Sequence, residues 1–403
     1  MSTAPQIEAQ PYKSSLYGVP RGIIFGIFAL SSIMSVLGIS VVVLTGPHAG
    51  VYDFTSYWAA GQQLIRGANP YSASAISILE RAHGYKGTDK PIIMRNPPSA
   101  LFLVIPLGLV GARAGSILWS LLGLGCLAAS IRMMWRMNGS PPGQLHLFGY
   151  LFAPVLLCFG TGQMGIILLL GLALFLRLQD SRPWLAGMAL SLCALKPHLF
   201  LPFAVALFAW IVTRKAYRIL VGAALGLGAC CVIPLFFDQS VWVQYIQMAR
   251  RSGIKNEIMP DFGTMLRFAL DRQAMWLQFL PAALACVWAF WYFRRHRMEW
   301  DWQTHGSLLI LVSVLAAPYS WFTDQAILLP AVLQGLYSGK SLTSILALTS
   351  AYMIELMFLG ADNMYSVPLN WAYCWPAAAW LAWYLWPMGS GLGSTSLLKG
   401  VEP

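Results

Sequence analysis

Apolar runs separated by short polar connections make up most of this chain of 403 residues. The runs are about 14 to 24 residues long, and a helix needs about 20 mostly apolar residues to cross a bilayer. The pattern therefore predicts an all-α polytopic membrane protein built as one bundle of about 12 transmembrane helices. The predicted spans are 22–44, 114–135, 146–160, 163–178, 183–197, 198–213, 217–237, 275–293, 304–318, 322–338, 341–360 and 369–386.

A further apolar run, "PPSALFLVIPLGLV" at 97–110, is too short to cross and opens with two prolines, so we expect it to be re-entrant or interfacial. With this run not crossing and the N-terminus in the cytoplasm, the basic residues of the short connections fall on the cytoplasmic side, as the positive-inside bias favours, while the remaining basic residues occupy the two long outer loops. The basic residues of the short connections are Arg132, Arg136, Arg177, Arg182, Arg214, Lys215, Arg218, Arg294, Arg295, Arg297 and Lys340.

This topology divides the chain into three regions. A disordered cytoplasmic tail (1–20) precedes a transmembrane domain (21–388), and a flexible cytoplasmic tail (389–403) follows it. Two long loops lie on the outer face: 46–113, with interfacial helices, and 238–274.

Polar segments of unusual composition gather on the same outer face. Besides Asp53 in the first loop, they are "GTGQMG" at 160–165, "LKPH" at 195–198 and "APYSWFTDQ" at 317–325. The spans that the first two turns connect have only about 15 residues, so these turns should lie below the membrane surface. Irregular backbone at that depth is tolerated where it is buried or lines a cavity. We therefore expect an outward-facing cavity.

Composition narrows the chemistry. The net charge of +11 resides in loops, which topology and anionic lipids explain better than nucleic acid does. The seven cysteines include no CxxC pair, and the histidines show no metal-ligand spacing, so we predict no metal site made of His or Cys and no cofactor; a divalent metal is not indicated. No phosphate-binding or dinucleotide fingerprint is found, which argues against a soluble nucleotide-sugar substrate.

The stretch "YDFTSYWAAGQQLIRGANPY" opens the first outer loop and has the period of an amphipathic helix. Its Trp and Tyr residues suit the headgroup layer. Asp53 stands at the helix start, where an aspartate N-cap contributes about 1 kcal/mol. The same carboxylate could also face a substrate, and the two roles are compatible.

This stretch and four later ones, "RNPPSALFLVIPL", "GTGQMGIILLLGLAL", "LAGMALSLCALKPHLFLPF" and "APYSWFTDQAILLPA", resemble glycosyltransferase family 87 in content and order. The resemblance implies a GT-C-like fold and a polyprenyl-phosphate-sugar donor, in the manner of the family's mannosyltransferases. It also implies that Asp53 is the catalytic base and that Lys196 and Gln163 match the family's Lys-Pro pair and Gly-Gln turn. One departure concerns the His-His pair that many members carry after the tryptophan of the "SW" motif. Here Trp321 is followed by Phe322, and we expect His198 to compensate.

The function expected from these residues is inverting transfer of a hexosyl group, with mannosyl as a candidate, to a lipid-linked or envelope glycan. Because the leaving phosphate is already a weakly basic anion, the site needs a base for the acceptor hydroxyl and cations for the phosphate. Lys196 is the leading phosphate ligand, unless it snorkels or pairs with a carboxylate. Arg95 and Arg66 are weaker candidates.

Four more residues are assigned to the sugar or the acceptor, with other roles left open. Gln163 binds sugar hydroxyls or satisfies its own turn, and Tyr57 orients Asp53 or anchors the helix in the interface. Asp324 pairs with Lys196 or Arg95, or binds a sugar hydroxyl or a divalent ion. Trp321 completes the set.

Two other functions compete with this one. A lipid-glycan flippase or transporter would show paired half-symmetry and several intramembrane charges, whereas here the polar residues concentrate on one face. A polymerase or ligase of the O-antigen type would use arginines of a large outer loop. The loop 238–274 offers Arg250, Arg251, Lys255, Arg267 and Arg272 for that role. In every case the predicted location is the cell membrane, with the active site on its outer face.

Overall fold

The computed structural model describes residues 52–83, 91–251, 259–340 and 374–386, together with residues 257, 345, 348 and 349. The predicted tails 1–20 and 389–403, the span 22–44 and most of the span 341–360 lie outside the described residues. Over its described length the chain forms helices and turns, without strands. This confirms the all-α class.

The helices occur in the following order. They are α1 (Tyr52–Ile65), α2 (Ala73–Ala82), α3 (Leu101–Gly108), α4 (Ala112–Met137), α5 (Ala153–Thr161), α6 (Gly165–Leu178), α7 (Pro183–Cys193), α8 (Leu201–Arg214), α9 (Tyr217–Val232), α10 (Val241–Arg251), α11 (Phe262–Leu270), α12 (Trp276–His296), α13 (Trp302–Leu315), α14 (Leu329–Tyr337) and α15 (Trp375–Leu385). Within the described ranges, five 3₁₀ segments join them: Pro98–Ala100, Leu145–Tyr150, Pro197–Phe200, Ile233–Phe236 and Phe322–Leu328.

Four helical segments of the described chain are long and apolar enough to cross a membrane. They are Ala112–Met137, Pro197–Arg214, Tyr217–Phe236 and Trp276–His296. They correspond to the predicted spans 114–135, 198–213, 217–237 and 275–293. The chain is therefore a helical membrane protein, while a count of 12 spans is not confirmed.

Other predicted spans are shorter or broken. The run 146–160 divides into the 3₁₀ segment Leu145–Tyr150 and α5, and the run 322–338 divides into Phe322–Leu328 and α14. The runs 163–178, 183–197 and 304–318 give α6, α7 and α13, which have 14, 11 and 14 residues. Prolines stand in the first turn of α5, α7 and α14, and polar turns separate the stretches.

The run 97–110 forms a 3₁₀ turn at Pro98 followed by the short helix α3, which packs along α1. The two helices meet backbone to backbone at Gly61 and Gly108. A Cβ atom on Gly61 would overlap the carbonyl oxygen of Val104, and one on Gly108 would overlap the backbone of Gly61. The amide of Gln62 also donates to the carbonyl of Gly108. The start of the first outer loop is thus packed closely against the later part of the same loop.

Helices α7 and α9 make the most extensive helix pair. A Cβ on Gly187 would overlap the carbonyl of Ile219, and one on Gly222 would overlap the carbonyl of Trp184. Gly226 continues the contact against Met188. Small residues permit such close approach in membranes, as the Gly222/Gly226 spacing predicts.

Three elements run between two ends of the bundle and position the site. At one end α6 begins after Gln163, the segment leading to α8 begins after Lys196, and α13 leads to the turn that carries Trp321. At the other end, α6 and α8 finish and α13 begins. With a rise of 1.5 Å per residue, the 14 residues of α6 separate these ends by about 21 Å.

Candidate functional site

Gln163 lies at the centre of a network of polar side chains. It belongs to the turn between α5 and α6, where Gly162 ends the helix with a positive φ of 75°. The Oε1 atom of Gln163 accepts hydrogen bonds from the Tyr57 hydroxyl at 3.0 Å and from Lys196 Nζ at 3.2 Å. Its side chain is also hydrogen-bonded to the carboxyl of Asp53. An ionised carboxylate can only accept hydrogen bonds, so the group of Gln163 that donates to Asp53 is its amide nitrogen.

Lys196 and Asp324 form a buried ion pair. Lys196 follows the end of α7 and precedes Pro197, and its Nζ lies 2.6 Å from Asp324 Oδ1. The second carboxylate oxygen of Asp324 accepts the backbone N–H of Trp321 at 2.9 Å. Asp324 is fully buried and Lys196 nearly so. Asp324 therefore pairs with Lys196, which is one of the alternatives that the sequence left open for it. Lys196 pairs with a carboxylate and does not snorkel.

Asp53 occupies the first turn of α1, where a carboxylate is favoured by the helix N-terminus. Ser56 donates to its backbone carbonyl, and Gln163 bonds its side chain. Burial raises the pKa of Asp53 from its usual range to about 6, against the lowering effects of the Gln163 hydrogen bond and the Lys196 charge. The nearby charge of Asp324 adds to the rise. The carboxylate thus titrates close to neutral pH.

Arg95 lies beside this network but has its own partner. Its guanidinium forms a half-exposed ion pair with Glu257 of the second outer loop. It also interacts with the Tyr319 hydroxyl, which accepts the indole N–H of Trp321 at 3.1 Å. The structure thereby brings Arg95 and Trp321 to the same end of the bundle as Lys196.

His198 packs edge-on against Tyr319, with ring centroids 5.5 Å apart. Its Nε2 atom is buried and has no hydrogen-bond partner among the described residues. Such an atom costs roughly 1–3 kcal/mol unless a ligand or water satisfies it. His198 therefore stands next to the network, separated from Lys196 by one residue.

Arg66 is not brought into the network. It lies at the exposed end of α1 and donates to Gln62 Oε1 at 2.7 Å. In the second outer loop, Arg267 is fully buried and donates to the carbonyl of Arg272, so it supports the loop from within. Arg250 and Arg251 end α10, and Lys255 lies outside the described residues.

Sequence reasoning missed two residues that hold the site together. Asn96 donates from Nδ2 to the carbonyl of Leu195 at 3.2 Å and to Met164 Sδ at 3.4 Å, so it joins the turns of Gln163 and Lys196. Tyr319 links Arg95, Trp321 and His198. Their position in the quoted motifs "RNPP" and "APYSW" was the available signal.

A narrow groove opens beside Gln163, lined by Trp119, Gly123, Phe159 and Ile166 among others. The indole N–H of Trp119 donates to the carbonyl of Gly162 at 2.7 Å, which fixes the turn. The outward-facing cavity predicted from the sequence is not confirmed. Among the described residues no group of three His, Cys, Asp or Glu side chains is placed to hold a metal ion.

Comparison with family models finds glycosyltransferase family 87 over residues 95–318, more than half of the chain. No curated protein and no solved structure matches the chain. The matched segment contains Gln163 and Lys196, whereas Asp53 precedes it and Asp324 follows it. Contacts in the folded chain connect these two carboxylates to the matched segment.

Proposed function

Because the chain belongs to glycosyltransferase family 87 and is a membrane glycosyltransferase, we propose that it transfers a hexosyl group, such as mannosyl, from a polyprenyl-phosphate sugar to a lipid-linked or envelope glycan. The observation that carries this proposal is the meeting of Asp53 and Lys196 on the two sides of the Gln163 amide. A base and a cation are thereby held a few ångströms apart. This is the pair that sugar transfer from a lipid phosphate requires.

Asp53 acts as the general base in this proposal. It removes the proton of the acceptor hydroxyl as the oxygen attacks the anomeric carbon, and the bond to the donor phosphate breaks on the opposite side. The anomeric centre inverts. A pKa of about 6 leaves the carboxylate mostly ionised at neutral pH while keeping it basic enough to accept the proton. Proton transfer of this kind typically contributes about 10²–10⁴-fold.

The departing phosphate is stabilised by Lys196. Its ammonium has three N–H donors, of which one serves Asp324 and one serves Gln163, so one remains for a phosphate oxygen. The unpartnered Nε2 of His198 supplies a second contact when it carries a proton. Arg95 joins them by exchanging Glu257 for the phosphate. No metal ion or cofactor has a role in this mechanism.

The substrates place the enzyme in the cell membrane. The donor and the glycan acceptor are both membrane-linked, and surrounding lipids, not nucleic acid, are the other partners. We propose that the site opens on the outer face, with both tails in the cytoplasm. The family membership favours transfer over the rival flippase function, and the buried structural role of Arg267 gives no support to an arginine-centred polymerase or ligase.

The experiment compares Asp53→Asn with Asp271→Asn in membranes supplied with a radiolabelled polyprenyl-phosphate sugar. Asp271 is an exposed residue of the second outer loop that bonds to the Gln273 backbone, so it controls for loss of an aspartate charge. We expect Asp53→Asn to lose at least about 100-fold of its transfer rate at normal expression, and Asp271→Asn to keep it. Retained transfer by Asp53→Asn refutes the proposed base.

A further inference from the structure

A second cavity lies at the other end of the bundle from Gln163. Its volume is about 490 Å³, and its walls include the cations Arg214, Lys215 and Arg218. Three tryptophans, Trp210, Trp300 and Trp302, form the aromatic part of the lining. This combination of basic and aromatic side chains has no role in the proposed sugar transfer.

The position of the cavity follows from the elements that reach it. Gln179, which follows α6, lines the cavity, and so does Arg214 at the end of α8. Trp302, at the start of α13, lines it as well. The opposite ends of these elements lie at the candidate site. The cavity and the candidate site are therefore about 21 Å apart along α6. The cavity therefore faces the membrane surface opposite to the site.

The chemistry of the lining points to an anion with several acceptor oxygens. Arg214 uses one N–H on the carbonyl of Arg297, which leaves the rest of its guanidinium fork. Guanidinium and ammonium donors match phosphate oxygens. The indole nitrogens of Trp300 and Trp302 are buried away from the cavity, so these residues contribute aromatic surface and not hydrogen-bond donors.

Two acids also line the cavity, but both have partners. Asp301 caps α13 by accepting the N–H of Thr304 at 2.8 Å, and Asp180 accepts the amide of Gln179 at 2.8 Å. The three cations thus exceed the acids, and the acids are held to their own local structure. A net positive, aromatic-walled cavity remains.

Lys215 supplies an independent observation. It ends α8 with a left-handed backbone, φ 54°, at a position where helices usually place glycine. Strained backbone of this kind tends to persist where the side chain serves a ligand. At this position the chain has a lysine in place of the usual glycine, and the lysine side chain brings a positive charge to the cavity.

We propose that this cavity binds a phosphate ester, with the phosphate oxygens held between Arg214, Lys215 and Arg218. An anionic phospholipid headgroup and a soluble phosphate ester both present this group. The aromatic walls and the exposed apolar side chains of Tyr217 and Val212 beside the cations suit a lipid in the adjacent leaflet.

The test titrates the full-length protein in detergent micelles and follows tryptophan fluorescence. The probes are short-chain phosphatidylglycerol, glycerol phosphate and, as a neutral reference, phosphatidylcholine. The cavity variant is Lys215→Gly with Arg218→Gln. Glycine adopts the left-handed conformation at position 215 without strain, so this variant should fold normally. The control is Arg132→Gln with Arg136→Gln, which removes two exposed charges near the end of α4.

We expect the cavity variant to weaken phosphatidylglycerol binding at least about tenfold and the control to change it by less than about twofold. If both glycerol phosphate and phosphatidylglycerol bind, the cavity recognises the phosphate alone. If phosphatidylglycerol binds and glycerol phosphate does not, the cavity recognises the lipid. Equal losses in the cavity variant and the control, or no binding of either anionic probe, overturn the proposal. Melting curves without probe verify that each variant is folded.

Discussion

The pH dependence of sugar transfer tests the electrostatics of Asp53 directly. Burial raises the pKa of this carboxyl to about 6, and a general base works only when it is unprotonated. Transfer should therefore rise as the pH increases through about 6. With that pKa, about nine-tenths of the carboxyl is ionised at pH 7 and about one-tenth at pH 5, so kcat/KM should fall about tenfold between them. An aspartate with an ordinary pKa would give a nearly flat profile over this range.

Two neighbouring substitutions should shift the profile in opposite directions. Gln163→Met removes the hydrogen bond that favours the charged carboxylate, so the acidic limb should move to higher pH. Asp324→Asn removes a nearby negative charge and leaves Lys196 without its counter-ion, so the limb should move to lower pH.

The assay measures kcat/KM for the radiolabelled polyprenyl-phosphate sugar from pH 5 to pH 8, with each profile normalised to its own plateau. Asp271→Asn serves as the control and should retain the wild-type midpoint, because Asp271 is not among the charges that act on Asp53. A flat wild-type profile would contradict the assignment of Asp53 as a base with a raised pKa. A shift of the acidic limb in the same direction in both variants would contradict the roles given to Gln163 and Asp324.

Two further predictions concern stability, measured by thermal melting in detergent. Lys196→Met leaves the carboxylate of Asp324 buried without a counter-charge and should lower the free energy of unfolding by about 3–5 kcal/mol. Adding Asp324→Leu should restore most of that loss. A double variant less stable than the single one would count against the ion pair. Gly222→Leu should cost roughly 1–3 kcal/mol because its side chain meets the Trp184 carbonyl, while Gly228→Leu on the same helix has open space and should be close to neutral. Equal melting temperatures for the two glycine variants would show that helix contact is not the cause.

The gathering of the polar turns could be predicted from the sequence because span length and loop charge constrain it strongly. Short apolar runs on either side of Gln163 and Lys196 leave those turns on one face, and the structure brings them into contact. Their catalytic roles stay predictions. The partner of Asp324 could not be chosen in advance, since selection among nearby cations depends on side-chain geometry that a linear pattern does not contain.

The interior of the spans was less predictable. Hydropathy does not distinguish an α-helix from a 3₁₀ segment, so the apolar pattern predicts a continuous helix through Leu145–Tyr150 and through Phe322–Leu328. Asn96 was overlooked because it bonds to a backbone carbonyl and a thioether far along the chain. For Arg66 the signal was present: Gln62 lies four residues earlier on the same helical face and binds it.

The contact between Gly61 and Gly108 has a consequence for how the enzyme accommodates its substrates. Where side chains separate two helices, rotamer changes can absorb a shift, but a junction of bare main chain offers no such compliance. The helix that carries Asp53 is therefore held rigidly against α3 at this crossing. If Asp53 acts as proposed, adjustment has to come from the substrates or from the second outer loop, and not from a movement of this helix along α3.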